Sequence, residues 1–499
     1  MTTPATAAPA ADSPDRAAPA PGAAATTTAA PPGTDDLPPV RLLDRAHLPV
    51  VVGVVALVTL AAFENRAVMT ILPTVVRDLD GWALFGASTG ATLVTFTVAM
   101  AWSGGWTDRA GPRPVLLWGL ALFVTAQVVS ALAPTMPVFV AGRAVSGASE
   151  ALVDTALMVL VAQALPDRLR AKVFASFAAA WILPSLLGPS LAGGLDALAG
   201  WRVVFVGPLL VAPLALLLLR PALRRTHAGG ADTTADAGGA ASERRRVAAA
   251  LLLAGGLAVT TFSAPLLSAD DTRAGGLAVA VGGLVLVVGG AARALPPGTL
   301  RVARGVPAVL AVRLLVAAAF TAVGGVIPLM LVQTQDASTA VAGVSLSVTG
   351  TLWALGSWLN SVDRVQAGVS APARVRLGAG LIAAGSLGPV LLSLDLVGLV
   401  PGMLGWAVAA LGMGIVSPTV STQLLALAPA AEHGRVSAAQ GLAVSTGVAL
   451  QTALVGAVVA AGGSATGGSA FALLMAGGSG LALLAALAAG RTAGEVAAG

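Results

Sequence analysis

The sequence predicts an all-α polytopic membrane protein, and three observations carry that expectation. Hydrophobic residues fill 56% of the 499 positions and charged residues only 10%, against roughly 45–50% apolar and about 25% charged in soluble domains. From Leu48 onward, apolar segments of 18–29 residues follow one another with short polar breaks, and about 20 apolar residues cross a bilayer. The basic residues alternate from loop to loop as the positive-inside rule demands.

Residues 1–47 are rich in Ala, Pro and Thr and carry Asp12, Asp15, Asp35, Asp36 and Asp44. No basic stretch leads into an apolar run, so this segment reads as a disordered cytoplasmic tail and not as a signal peptide. Fourteen transmembrane helices are expected at 48–76, 82–104, 115–134, 137–163, 173–196, 203–220, 247–267, 274–292, 305–332, 339–361, 375–393, 397–425, 436–461 and 468–490. The first six make an N-terminal six-helix bundle, 48–220. A polar, Gly-rich stretch with arginines at both ends, 221–246, reads as a flexible cytoplasmic linker. Two additional transmembrane helices occupy 247–292, a cytoplasmic loop 293–304, a C-terminal six-helix bundle 305–490 and a cytoplasmic C-terminal tail 491–499. Many spans are dense in Gly and Ala, which lets helix backbones approach closely in lipid.

Orientation follows from the 28 basic residues. With the N-terminus inside, Arg77, Arg202 and Arg273 alone fall in outer loops, Arg66, Arg143 and Arg313 fall within spans, and the other 22 are cytoplasmic. Both termini are therefore expected on the cytoplasmic side of a cell (inner or plasma) membrane. The same loop positions explain the net charge of +5 without nucleic acid as a partner.

Other classes of function close quickly. There are no cysteines, hence no disulfide framework, thiolate metal site or cysteine nucleophile. The three histidines, His47, His227 and His433, all sit in loop-like stretches. The single lysine, Lys172, is followed by Val173, so no Walker A loop exists. No cofactor, no metal and no enzyme activity are expected.

The halves show weak internal repetition. "RAKVFAS" entering the fifth span is similar to "HGRVSAA" entering the thirteenth, and "GGWTDRAG" after the second has a degenerate echo in "GSWLNSVDR" after the tenth. Repeated bundles place a substrate site near the midplane, between lobes that rock against each other.

Four stretches carry mechanism. After the second span the chain reads Gly104-Gly-Trp-Thr-Asp108-Arg109-Ala-Gly111-Pro112-Arg113. Glycines allow a tight turn and close helix contact. An acid here can sit at a helix N-terminus, where the dipole favours it; the nearest candidate is the thirteenth span, starting near Val436. Arg109 and Arg113 hold the loop at the headgroups. The simpler reading is an ordinary positive-inside turn. In the fourth span, "RAVSGASEALVD" sets Arg143, Gly147, Glu150 and Asp154 on one helix face. In the first, "AAFENRAVMTILP" puts Glu64 near the centre of its span with Asn65 and Arg66 beside it. Arg66 lies about 200° round the helix from Glu64. In the fifth, Pro184, Gly188, Pro189, Gly193 and Gly194 suggest a bend at Gly-Pro with tight packing on a neighbour.

A charge at a span centre costs roughly 2.5–3.5 kcal/mol, so these groups must face water or pair. A structural cluster of Glu64, Glu150 and Asp154 against Arg66 and Arg143 leaves one acid in surplus, and that acid is expected to hold a proton because desolvation disfavours its charge. Arg313, eight residues into the ninth span, is expected to snorkel about 12 Å towards the cytoplasm.

These stretches resemble the major facilitator superfamily, and within it the fourteen-helix drug/proton antiporters. The loop at 104–113 is similar to the GxLADRxGRK signature, with Trp106 and Pro112 departing from it, and the resemblance implies a gating role for Gly104, Asp108, Arg109, Gly111 and Arg113. "RAVSGASEA" resembles RxxQGxGAA, with Ser146 for Gln and Glu150 for Ala. "ENRAVMTILP" is similar to LDxTVVNVALP, with Glu64 in the place of Asp and Pro73 matching the final Pro. The fifth span resembles the GxxxGPxxGG motif of exporters, with Pro184 and Ala192 for two glycines. The resemblance implies that the first and fourth helices line a central cavity, that Glu64, Asn65, Arg66, Arg143, Glu150 and Asp154 bind protons or substrate, and that the chain exports a hydrophobic, even cationic, small molecule such as a drug or antibiotic in exchange for protons. The expected partners are that substrate, protons and the lipid bilayer, with the chain working as a monomer. A proton-linked or facilitated importer of a metabolite, and a non-transporting sensor or scaffold, stay open as alternatives.

Overall fold

Proline and glycine set where the helices start and stop. Prolines occupy the first turn at Pro49, Pro112, Pro137, Pro307 and Pro372, where a missing N–H costs nothing. Gly111, at φ 80°, makes the turn between the second and third helices, a conformation that glycine adopts without steric penalty. The computed structural model describes residues 47–81, 84–226, 237–262, 273–335, 339–462 and 468–493. The tail 1–46 and the middle of the expected linker, 227–236, lie outside the described residues.

Helices in chain order are α1 (Leu48–Asp78), α2 (Phe85–Ala110), α3 (Pro112–Ala131), α4 (Met136–Ala164), α5 (Asp167–Ala180), α6 (Ile182–Ala199), α7 (Val206–Leu223), α8 (Ala237–Phe262), α9 (Arg273–Ala294), α10 (Val306–Gly324), α11 (Ile327–Thr334), α12 (Thr339–Ser361), α13 (Asp363–Gly368), α14 (Ala371–Ser393), α15 (Leu399–Leu427), α16 (His433–Gly462) and α17 (Gly468–Ala488). No strand occurs among the described residues. Every expected span overlaps helix, and nine helices among the described residues are long and apolar enough to cross a membrane by length and composition.

Three expectations need correction. The span at 173–196 is two helices, α5 and α6, parted at Trp181. Pro184 has no N–H to offer the Ala180 carbonyl, four residues back, and its ring crowds that carbonyl. The break therefore falls ahead of Pro184, and α6 runs unbroken through Gly188 and Pro189. The span at 305–332 divides in the same way into α10 and α11, with Pro328 unable to reach back to Gly324. Finally, α8 begins at Ala237, inside the stretch read as linker.

Helix α1 packs on α5, α6 and α7, while α2 and α3 pack on α4. In the second half α14 packs on α15 and α17, α12 on α15, and α10 on α16 and α17. The two sets meet where α16 lies against α2 and α4, and where α12 and α15 lie against α5. The α8–α9 pair packs on itself and on both α2 and α16. Its close approach needs glycine, because a Cβ at Gly256 would sit 2.6 Å from the Gly283 carbonyl. Ala250 and Leu253 of α8, Val287 of α9, Met100 of α2 and Leu442 of α16 share one buried core.

At one end of α1, Asp78 accepts hydrogen bonds from the Trp201 indole (2.9 Å) and the Arg202 guanidinium (3.0 Å). Trp201 packs edge-on against Phe139 and Phe205. These contacts tie α1 to the turn that precedes α7.

Candidate functional site

A cavity of about 740 Å³ lies between the two sets of helices. Its walls are mostly aromatic and aliphatic: Phe96, Phe123, Phe174, Phe177, Trp181, Phe320, Trp353 and Trp406 all face it. Phe320 stacks on Trp406 at 4.7 Å and meets Trp353 edge-on at 5.3 Å. Trp406 is oriented by donating from its indole to Thr349 at 2.8 Å.

All six residues expected to bind protons or substrate line this cavity: Glu64, Asn65, Arg66, Arg143, Glu150 and Asp154. They are not equivalent. Glu64 pairs with Arg143 at 2.7 Å and also accepts from the Ser146 hydroxyl. Both charges are deeply buried, at 8% and 5% exposure, so the pair is a fixed element joining α1 to α4. Ser146, standing where the family pattern has Gln, completes it. Helix α4 is held in turn by α2, where Thr92 and Thr95 donate to the Arg143 and Ala144 carbonyls.

Glu150 and Asp154 have no hydrogen bond or ion pair within 4 Å among the described residues, and both face the cavity. Asp154 attracts Arg313 electrostatically across the seam. Arg313 corrects an expectation: it does not snorkel away but lines the cavity, where it donates to Ser417 of α15 at 3.1 Å. Its neighbours on α10 are small or apolar, so the cavity is the accessible polar surface. Arg66 does not join the acid cluster either. It leans over Trp181, 6.0 Å from the ring centre.

The loop motif joins the end of α2 to the start of α16, two helices that contribute Phe96 and Gln440 to the cavity wall. Asp108 is 4% exposed and accepts the backbone N–H groups of Gly434 (2.6 Å) and Arg435 (2.9 Å). These are the first amides of α16, whose dipole favours an anion there. Arg435 adds its guanidinium at 3.7 Å. Gly104 makes the contact sterically feasible, since a Cβ there would lie 2.6 Å from that of Ala438 and 2.7 Å from the Gly434 carbonyl. Gly111 makes the turn at positive φ. Arg109 and Arg113 are exposed.

A second bridge at the seam escaped the sequence reading: Lys172 of α5 meets Asp363 of α13 at 2.9 Å. A signal for it existed. In the internal repeat Lys172 occupies the place of Arg435, the residue beside Asp108.

The fifth-span motif divides. Pro184 and Gly188 are buried, and a Cβ at Gly188 would meet that of Arg66 at 3.3 Å. Gly193 and Gly194 do not give the expected tight packing, because a Cβ at either meets nothing within 4 Å among the described residues. The side chain of Pro189 lies outside the described residues.

The chain belongs to the major facilitator superfamily, whose family model matches residues 54–452. It is thus a multi-pass membrane transporter and not an enzyme. Among named relatives, a probable multidrug-efflux transporter of Mycobacterium tuberculosis is 33% identical over 162 residues, 32% of this chain and 34% of that protein. A methylenomycin A resistance protein of Bacillus subtilis is 32% identical over 145 residues, 28% of this chain and 30% of that one. The matches span about a third of each relative's length. The crystal structure of the human organic anion transporter TETRAN superposes with a TM-score of 0.64 at 18% identity, covering 89% of this chain and 99% of that one, which shows a shared fold.

Proposed function

We propose that this chain is a proton-coupled antiporter of fourteen transmembrane helices that exports a hydrophobic small molecule, cationic examples included, such as a drug or antibiotic. It consists of two six-helix bundles and an added helix pair, works as a monomer, and keeps both termini in the cytoplasm. The Asp108 end of the cavity is then the cytoplasmic end, and the latch of Gly104, Asp108, Gly111 and α16 closes it, with Arg109 and Arg113 at the headgroups.

The observation that carries this reading is an unpaired carboxylate, Glu150, facing an aromatic-walled cavity between two helix sets. A carboxylate with no fixed cation holds either a proton or the cationic part of a cargo, but not both. Glu64 is committed to Arg143 and Ser146, so it supports the site while Glu150 exchanges its ligand. Protonation then biases the balance of inward- and outward-facing states, and cargo biases it the other way. The multidrug and antibiotic-resistance names of the relatives support export.

Inverted vesicles loaded with a pH-sensitive dye test this directly. Ethidium added to vesicles bearing the full chain is expected to drive proton release, and Glu150→Gln to abolish that release. If Glu64→Gln and Glu150→Gln both keep full ethidium-driven proton release, carboxylate coupling is wrong.

A further inference from the structure

Among the described residues, Glu150 and Arg66 are cavity charges of opposite sign with neither an ion pair nor a side-chain hydrogen bond. The Nε of Arg66 is buried without a partner. Of the other cavity arginines, Arg143 is paired with Glu64 at 2.7 Å, and Arg313 donates to Ser417 at 3.1 Å and feels the charge of Asp154. Arg66 is also held in place. Gly188 leaves room for its stem, with a Cβ there only 3.3 Å from that of Arg66, and the guanidinium leans over Trp181.

An arginine kept in a membrane crevice without a counter-charge is costly, and a guanidinium on an aromatic face offers a planar fork matched to a carboxylate. We infer that Arg66 is the recognition point for an acidic group of the cargo, so that the preferred substrates are amphoteric: a flat aromatic body carrying an amine for Glu150 and a carboxylate for Arg66. This inference rests on the efflux reading and narrows its substrate class. It gives the cavity's three arginines and three carboxylates a common logic, since a cargo bearing both charges fills both vacancies without adding net charge.

A matched dye pair tests it. Rhodamine B carries a xanthene cation and a free carboxylate, and its ethyl ester keeps the cation alone. Efflux of each is followed by fluorescence in cells producing the full chain. The wild type is expected to prefer rhodamine B over the ester about tenfold in apparent kcat/KM, the scale of one charge-assisted hydrogen bond. Arg66→Gln is expected to bring that ratio close to one, mainly by raising KM for rhodamine B, and Arg66→Lys, which keeps charge but not the fork, to fall between. A wild type that handles both dyes alike, or an Arg66→Gln variant that loses both in proportion, overturns the inference and assigns Arg66 to packing. A wild type that moves the ester and rejects rhodamine B overturns it while leaving efflux intact. A wild type that moves neither dye, with Arg66→Gln no different, overturns the efflux reading together with the inference.

Discussion

The Asp108 carboxylate and the Gly434 amide, 326 positions apart in the chain, meet at 2.6 Å. One carboxylate satisfies two of the amides that open α16, so a single side chain ties the end of α2 to the start of α16. The internal repeat explains what stands opposite. Asn360 takes the place of Asp108 in the second half, but its carbonyl accepts from Arg374 and Thr419 within that half. The carboxylate that reaches across is Asp363, three residues later, and it meets Lys172. The two seams are thus related but unequal, one buried and one exposed.

Asp108→Asn removes the charge and one of the two acceptors. A hydrogen bond to a charged group contributes about 1.5–3 kcal/mol, and that loss falls on the closed state alone. The chain has no cysteine, so a single cysteine at Gln440, a cavity residue on α16, reports without background. In inverted vesicles its reaction with a membrane-impermeant maleimide is expected to quicken about tenfold in Asp108→Asn. Equal rates in both proteins would remove Asp108 from the latch.

The exposed seam is weaker. The Lys172 side chain is 27% exposed and that of Asp363 79%, and such pairs contribute less than about 1 kcal/mol. Lys172→Asp is expected to raise the same maleimide rate by no more than about fivefold. Adding Asp363→Lys is expected to restore it, and half-molar salt to erase the difference between wild type and Lys172→Asp. A reversed pair that labels as fast as the single variant rules out a direct bridge.

How much of this could be read from residues alone depended on what signal each feature leaves. Apolar length and the alternation of arginines place helix at every expected span. The loop from Gly104 to Arg113 points to a helix N-terminus near Val436, and α16 begins at His433. The breaks at Trp181 and after Gly324 were hidden because hydropathy runs straight through Pro184 and Pro328, and only the lost i–4 bond reveals them. Arg313 was misplaced because snorkelling distance follows from sequence position, whereas facing direction follows from packing against α15 and α16. Which acid is committed was also beyond reach, since Glu64 and Glu150 look alike until Arg143 and Ser146 are placed.

That commitment has a thermodynamic signature. Removing one partner of a buried ion pair leaves an uncompensated charge, typically costing about 3–5 kcal/mol. Glu64→Gln and Arg143→Gln are each expected to lower the melting temperature in detergent, followed by fluorescence of the nine tryptophans. The double variant is expected to recover at least half of the loss, because neither charge then lacks a partner. Glu150→Gln, which breaks no bond, is expected to melt near the wild type. Losses that simply add in the double variant contradict a coupled pair.

The opposite end of α1 supplies a pH dependence with a definite sign. Asp78 lies beyond the apolar stretch 48–72, and hydrogen bonds from the Trp201 indole and then from Arg202 hold its carboxyl below the ordinary carboxylate value, which is about 3.9. The unfolded chain therefore takes up this proton at a higher pH than the folded one. The stabilisation is present above about pH 4 and is lost as pH falls through the lower, folded value. Asp78→Asn keeps an acceptor for the indole but loses the charge, so the other carboxylates cancel in the comparison. The melting-temperature gap between wild type and Asp78→Asn is expected to stay constant from pH 7 to 5 and to shrink towards zero below about pH 4. A gap that persists or widens at pH 3 means that the carboxylate form contributes nothing to the junction of α1 with the turn before α7.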